Sequence, residues 1–228
     1  IVDNALAQNP SGLVLIPTDP NGLQASADKA VDAGVALALV DTTVSDASRA
    51  VITITGDNAD GGAKAADAIA AAIGYTDGET YEVVVGLTSA TATTNVGRLE
   101  GFKARVASDY PGIVIKDVAY SASNSQTADS NVENWLTKYP NLKGIFAIDG
   151  TNATGAAAAL KTKGLVGKIA LVGYDAYPGN VDLLKEGVFT ALIAQDPAAE
   201  ARLAIKTLVE YIKNGTAAAE RDVVIPNV

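Results

Sequence analysis

The sequence predicts an α/β protein made of two doubly wound parallel-sheet lobes, because strand and helix signals alternate along almost the whole chain. Short apolar runs alternate with Ala-rich amphipathic stretches, an order typical of parallel sheets covered by helices on both faces. Nine strand candidates are more than one small sheet usually carries. A pattern of strand, turn, helix, strand and Asp occurs at 12–41 and again at 144–175, which favours two similar lobes.

The elements follow from apolar runs, caps and breakers. The predicted strands are Gly12–Ile16, Val35–Val40, Val51–Thr55, Tyr81–Leu87, Ile113–Val118, Gly144–Ile148, Ile169–Gly173, Val188–Ala194 and Val223–Ile225. One helix is predicted to open with Asp19 as N-cap and Pro20 at its first position. The other predicted helices are Val2–Gln8, Asp57–Ile73, Asn95–Ala107, Gln126–Lys138, Thr151–Lys163 and Pro197–Lys213.

The composition limits the functions open to this chain. It has 228 residues, 48% of them hydrophobic, and a formal net charge of −9, so it can bury a sizeable core but would repel nucleic-acid phosphates. It contains no His and no Cys, which excludes His-dependent triads, thiol nucleophiles and the usual zinc sites. Neither a Gly-x-Ser-x-Gly elbow nor a Lys-bearing phosphate loop occurs. We therefore predict no catalytic residue, no metal site and no cofactor.

The start of the sequence suggests a longer natural chain. No Met is present, so Ile1 is not expected to be a translation start, and we expect a signal peptide to have been removed. The first strand follows a helix, whereas an α/β lobe normally begins with a strand. We therefore expect the N-terminal lobe to be incomplete, lacking its central strand.

Three Asp residues stand where predicted strands end: Asp41, Asp149 and Asp175. Ligands of open α/β sheets bind beyond the carboxyl ends of the strands, and carboxylates, which only accept hydrogen bonds, suit a ligand rich in hydroxyl donors. A strand-end Asp is also a common helix cap or turn residue. Tyr174 is predicted either to offer the ligand an apolar face or to pack in the core, and Trp135 is predicted to lie in the core.

These residues also resemble a known family, the ribose/galactose type of periplasmic binding protein, which comprises the receptors of sugar-importing ABC transporters. The resemblance extends over almost the whole chain in family order. The matching segments are Gly12–Asp19, Val40–Asp41, Gly56–Asn58, Asn95 with Arg98–Phe102, Gly144–Asp149, Val172–Asp175 and Ala191–Asp196.

The resemblance implies a sugar-binding cleft between two lobes joined by three crossovers. The implied lobes are residues 1–56 with 196–222, and 57–195 with 223–228. It implies a small neutral sugar or polyol as ligand, the membrane permease of an ABC transporter as partner, and a monomer in the periplasm or held at the cell surface as a lipoprotein. The family's ligand-contacting positions fall on Asp41, Asn95, Arg98, Asp149, Tyr174, Asp175 and Gln195.

Some positions depart from the family pattern, and two other functions stay open. Ile16 and Thr42 stand where ribose binders have Asn and Arg, which argues against ribose. The effector core of a Lac-repressor-type transcription factor shares the fold, although 182–197 reads like the binding proteins. An α/β enzyme with a carboxylate pair is a second rival. A signal peptide upstream would indicate a binding protein, and a helix-turn-helix there would indicate a repressor. Turnover of a sugar would indicate an enzyme.

Overall fold

The structure, a computed structural model, describes residues 1–227 and confirms the predicted α/β class with two parallel sheets. Every strand pairing in the described residues is parallel. The elements are α1 (Val2–Leu6), β1 (Gly12–Leu15), α2 (Gln24–Asp32), β2 (Ala36–Val40), β3 (Ile52–Gly56), α3 (Asn58–Ile73), β4 (Tyr81–Leu87), α4 (Thr93–Asp109), β5 (Ile113–Tyr120), α5 (Ser125–Lys138), β6 (Leu142–Ala147), α6 (Gly150–Thr162), β7 (Ala170–Tyr174), α7 (Pro178–Lys185), β8 (Ala191–Ile193), α8 (Pro197–Asn214) and β9 (Asp222–Ile225).

The chain divides into two compact units, each with its own sheet. The first unit comprises Ile1–Asp57, Thr91–Thr94 and Asp196–Pro226. The second comprises Asn58–Ala90 and Asn95–Gln195, and the chain returns to it at Asn227.

The first unit is built on a four-stranded sheet with the order β1-β2-β3-β9. Strand β2 is buried on both faces, as expected of a parallel sheet covered by helices. Ala36, Ala38 and Val40 share a core cluster with α8, whereas Leu37 and Leu39 share another with α2. This period-two alternation places α2 and α8 on opposite faces of the sheet.

Strand β1 forms one edge of this sheet and, within residues 1–227, pairs only with β2. The incompleteness of the N-terminal lobe stays a prediction.

One part of the predicted domain division is wrong. The prediction that residues 223–228 belong to the second lobe is wrong for β9, which pairs with β3 in the sheet of the first unit, with Thr53 opposite Asp222 and Gly56 opposite Ile225. Asn227 lies in the second unit, and residue 228 lies outside the described residues. The chain leaves the first unit only after Pro226. The partner of such a short strand is more than 160 residues away, so local sequence signals do not identify it.

Asp19 closes a turn rather than opening a helix. Its Oδ1 accepts hydrogen bonds from the N–H groups of Asn21, at 3.0 Å, and Gly22, at 2.6 Å. Helix α2 begins only at Gln24. Asx turns and N-caps use the same bond from an Asp carboxylate to a following N–H, which explains the misplaced start.

The second unit has a five-stranded sheet with the order β5-β4-β6-β7-β8. Central strand β4 alternates between the two sides: Val83 and Val85 join a cluster with Phe102 of α4, and Val84 joins a cluster with Trp135 of α5. Trp135 is only 4% exposed, so its predicted core position is confirmed.

Helix α8 has a side-chain cap that makes a testable contribution to the first unit. Asp196 Oδ1 accepts a hydrogen bond from the N–H of Ala199 at 2.8 Å, and Pro197 follows at the first helical position. We expect Asp196→Ala to lower the free energy of unfolding by about 1 kcal/mol, because a helix N–H loses its acceptor. Asp196→Ser should retain most of the stability. Urea denaturation followed by far-UV circular dichroism tests this, and equal stability of the Ala variant and the wild type would contradict it.

Candidate functional site

Polar residues follow the carboxyl ends of all five strands in the second unit. They come directly after the strand, or two residues after it, so the parallel sheet brings them to one edge. Together with one residue of α6 they form what we call the strand-end network. Its members are Thr88 after β4, Ser121 after β5, Asp149 after β6, Asn152 in α6, Asp175 after β7 and Gln195 after β8.

Asp149 anchors one half of this network by capping α6. Its Oδ1 accepts a hydrogen bond from the Asn152 N–H at 2.9 Å. Its Oδ2 accepts from the Thr88 hydroxyl at 2.9 Å and from Asn152 Nδ2 at 2.8 Å. The same Asn152 Nδ2 lies 3.0 Å from Ser121 Oγ. Three donors occupy most of the roughly four lone-pair positions of a carboxylate, so Asp149 is largely satisfied by the protein.

Asp175 anchors the other half and is less fully occupied. Its Oδ2 accepts a hydrogen bond from the Gly150 N–H at 3.0 Å, and its Oδ1 accepts from Gln195 Nε2 at 2.7 Å. Two donors leave about two of its four acceptor positions open. Gln195 Oε1 is buried and receives no donor from the described residues. The predicted residues Asp149, Asp175 and Gln195 therefore do lie together, at an edge rich in hydrogen-bond acceptors.

Asp41 lies in the first unit, at the end of β2, and repeats the backbone of Asp175. The two residues have positive φ angles of 64° and 67°. Each N–H donates at 2.8 Å to a carbonyl of the neighbouring strand, Ile54 for Asp41 and Ile193 for Asp175. Asp tolerates this left-handed conformation better than most residues, so backbone geometry alone favours Asp here. A role for Asp41 in binding stays a prediction.

Asn95 and Arg98, also predicted to contact the ligand, are buried within the second unit. Asn95 Oδ1 accepts hydrogen bonds from the N–H groups of Thr88, at 2.8 Å, and Ser89, at 3.1 Å, and so shapes the loop after β4. Arg98, 2% exposed, donates from Nε to Asn58 Oδ1 at 2.9 Å and from Nη1 to the Ile148 carbonyl at 3.0 Å. These contacts give both side chains a structural role, and a direct contact with ligand stays a prediction.

Tyr174 packs in the core, which is the second of the two roles considered for it. It is 0% exposed, and the guanidinium carbon of Arg98 lies 3.7 Å from the centre of its ring. Burial raises the pKa of Tyr174 to about 12, against the opposing effect of Arg98. The side chain therefore offers no face to a ligand. As the last residue of β7 it points to one side of the sheet, whereas Asp175 already belongs to the loop.

The buried guanidinium of Arg98 leads to a stability prediction. Arg98→Lys should lower the free energy of unfolding by about 1.5 kcal/mol, because one ammonium cannot reproduce two directed hydrogen bonds and the stack on Tyr174. The matched control is Arg202→Lys on the exposed side of α8, which should stay within about 0.5 kcal/mol of the wild type. Urea denaturation measures both, and equal effects of the two variants would argue against a structural role for Arg98.

Three residues of the network, and one beside it, were not predicted from the sequence. Thr88, Ser121 and Asn152 complete it, and the strand-end position that identified the Asp residues would also have identified the first two. Tyr177 lies over the start of α6 at Gly150.

Among residues 1–227 no group of three or more His, Cys, Asp or Glu side chains is arranged to hold a metal ion. Within the same residues, none of the helices combines the length and apolar character needed to cross a membrane.

Known proteins similar to this chain include sugar-binding proteins. The D-ribose/D-allose-binding protein of Pseudomonas aeruginosa is 26% identical over 230 residues, which cover 99% of this chain and 70% of that protein. The D-allose-binding periplasmic protein of Escherichia coli K12 is 32% identical over 164 residues, which cover 71% of this chain and 51% of that protein. The chain thus spans between about half and 70% of the length of these relatives.

Solved structures with the same fold include proteins described with sugars bound. A solute-binding protein of an ABC transporter from Agrobacterium vitis, bound with α-D-tagatopyranose, matches with a TM-score of 0.91 and 26% identity over 100% of this chain and 77% of that chain. A carbohydrate transporter solute-binding protein from Agrobacterium radiobacter, in complex with D-arabinose, matches with a TM-score of 0.91 and 28% identity over 100% of this chain and 76% of that chain.

The match to a family model agrees with these similarities. The model of the periplasmic binding protein domain matches residues 1–217 of the 228. The chain therefore belongs to the periplasmic binding protein domain family.

Proposed function

We propose that this chain is the sugar-binding part of an extracytoplasmic solute-binding protein that delivers a small neutral sugar or polyol to an ABC importer. The observation that carries the proposal is that the hydrogen-bonding capacity of Asp175 is only partly used. This residue is a half-buried carboxylate, fixed by Gly150 and Gln195, with about two acceptor positions still open. Vicinal hydroxyl groups of a sugar are the donors that such an acceptor binds.

The charge of the site supports a neutral ligand over a sugar acid. The network contains two carboxylates, and the buried guanidinium nearby is directed at Asn58, Ile148 and Tyr174. A ligand carboxylate would meet like charge without a free cationic partner, which is unfavourable in a partly desolvated site.

The relatives favour a transport receptor over the two rival functions. The two named relatives are sugar-binding proteins, and the two sugar-bound structures are solute-binding proteins of transporters. These similarities support a transport receptor over a Lac-repressor-type effector core. The family is one of binding proteins rather than an enzyme class. We therefore propose capture without turnover, and periplasmic or lipid-anchored placement outside the cytoplasm.

Calorimetry with a panel of monosaccharides tests the proposal. D-Allose, D-ribose, D-arabinose and D-tagatose are titrated into the protein, with D-gluconate as the anionic control. We expect saturable binding of at least one neutral sugar and none of gluconate. A ligand that binds only the folded state should also raise the unfolding temperature as its concentration increases. Absence of saturable heat with every neutral sugar and polyol tried, or turnover of a sugar, would contradict the proposal.

A further inference from the structure

Tyr177 rests flat on the first residue of α6. A Cβ atom placed on Gly150 would lie 2.4 Å from Cε2 of the Tyr177 ring and 2.7 and 2.8 Å from its two ring neighbours, Cζ and Cδ2. If the Cβ position on Gly150 lay in the plane of the Tyr177 ring, Cζ and Cδ2 would be much farther from it than Cε2 is. The nearly equal distances mean that one face of the ring covers the Gly150 Cα, and that only glycine allows this approach.

The ring stays accessible although one face is covered. Tyr177 is 52% exposed, although one face of its ring lies on Gly150. The residue it covers, Gly150, donates its N–H to Asp175 Oδ2 at 3.0 Å. The ring therefore lies beside the carboxylate that keeps open acceptor positions.

We propose that Tyr177 is the aromatic ligand contact of this site and that Gly150 is the residue that positions it. The inference rests on the proposed sugar-binding function and names a specificity determinant for it. An acceptor-rich edge alone binds hydroxyl groups of any polyol. A flat apolar surface beside Asp175 adds a preference for a pyranose or furanose ring, whose C–H groups form an apolar face, over an open-chain polyol.

For Tyr174, three residues earlier, the sequence predicts either this role or core packing. The core buries Tyr174 completely, whereas Tyr177 is 52% exposed. Tyr177 follows Asp175 by two residues, at the N-cap position of α7. A half-exposed ring in this position can contact the apolar face of a sugar.

Affinity measurements on four variants test the inference. With the tightest sugar of the wild-type panel, Tyr177→Ala should weaken binding about three- to ten-fold, the range of an aromatic contact. Tyr177→Leu, which keeps apolar bulk without a flat ring, should fall between Ala and wild type, and Tyr177→Phe should bind more tightly than Tyr177→Ala. Tyr211→Ala, an exposed tyrosine on α8 of the first unit, should bind as the wild type does.

A double-mutant cycle tests the positioning role of Gly150. Gly150→Ala keeps the N–H that Asp175 accepts but displaces the ring, so it should weaken binding about as much as Tyr177→Ala. In a Tyr177→Ala background the same change should have less than about a twofold further effect, because the contact it disturbs is already gone. Additive losses would overturn the positioning role.

The outcomes separate this inference from the proposed function. If the wild type binds a sugar and Tyr177→Ala binds it equally well, the inference is overturned and the function stands. If the wild type binds no neutral sugar, the proposed function fails, and the inference fails with it. Equal losses for a cyclic sugar and for its open-chain polyol would overturn the preference for a ring.

Discussion

Replacing Asp175 by Asn is expected to weaken sugar binding by about 10- to 100-fold, since a hydrogen bond to a charged group contributes about 1.5–3 kcal/mol. The variant should fold normally. Asn tolerates the φ of 67°, and its amide oxygen can still accept the Gly150 N–H. Its amide N–H₂ can donate to Gln195 once that side chain turns over, which would also give Gln195 Oε1 the donor it lacks. The substitution therefore weakens ligand binding rather than folding, because the hydroxyl groups of the ligand lose a negatively charged acceptor.

Calorimetry with the best-binding sugar measures this effect, and Asp182→Asn is the matched control. Asp182 is an exposed acid on α7 of the same unit, with a surface ion pair to Lys185, so its replacement should leave affinity unchanged. Equal affinities of the Asp175→Asn variant and the wild type would remove Asp175 from the site, and with it the observation that carries the proposed function.

Replacing Gly101 by Ala is expected to destabilise the second unit by about 3 kcal/mol or more, the upper range for overpacking. A Cβ on Gly101 of α4 would lie 2.0 Å from the Ala59 carbonyl oxygen of α3. Reciprocally, a Cβ on Gly62 of α3 would lie 2.0 Å from the Arg98 carbonyl oxygen of α4. The two helices therefore meet backbone to backbone, and neither can yield by rotating a side chain.

The sign of the stability change in Gly101→Ala shows whether backbone overpacking or helix propensity dominates. Propensity alone would make Ala more stable than Gly inside a helix by about 1 kcal/mol. Gly179→Ala on α7 is the control, because nothing lies within 4 Å of its Cβ position, and it should be neutral or slightly stabilising. Urea denaturation followed by far-UV circular dichroism measures both variants. A stabilising effect of Gly101→Ala would show that the helices separate easily.

The arrangement of elements could be predicted from the sequence because it depends on local signals. Apolar runs, breaker residues and their alternation identified the strands, and the repeat at 12–41 and 144–175 corresponds to the matching backbones of Asp41 and Asp175. The partner of β9 could not be predicted, since four residues with no distinctive pattern can extend either sheet. The start of α2 was wrong because a turn and a cap use the same Asp chemistry.

The site was predictable where topology determines it and unpredictable where packing does. Strand ends of a parallel sheet meet at one edge, so Asp149 and Asp175 could be grouped from the sequence alone, whereas Gln195 was implied only by the family resemblance. The burial of Tyr174 depends on which side of β7 its side chain takes, and that of Arg98 depends on the close approach of α3 and α4. Both are tertiary effects that a single sequence does not encode locally.

The position of Trp135 determines what intrinsic fluorescence can report about this protein. It is the only tryptophan and lies in the core of the second unit. The first unit contains a single aromatic residue, Tyr211. Emission spectra will therefore follow melting of the second unit and be nearly blind to the first. A single sharp fluorescence transition does not establish all-or-none unfolding of the chain, and a tryptophan introduced into the first unit would be needed to observe that unit optically.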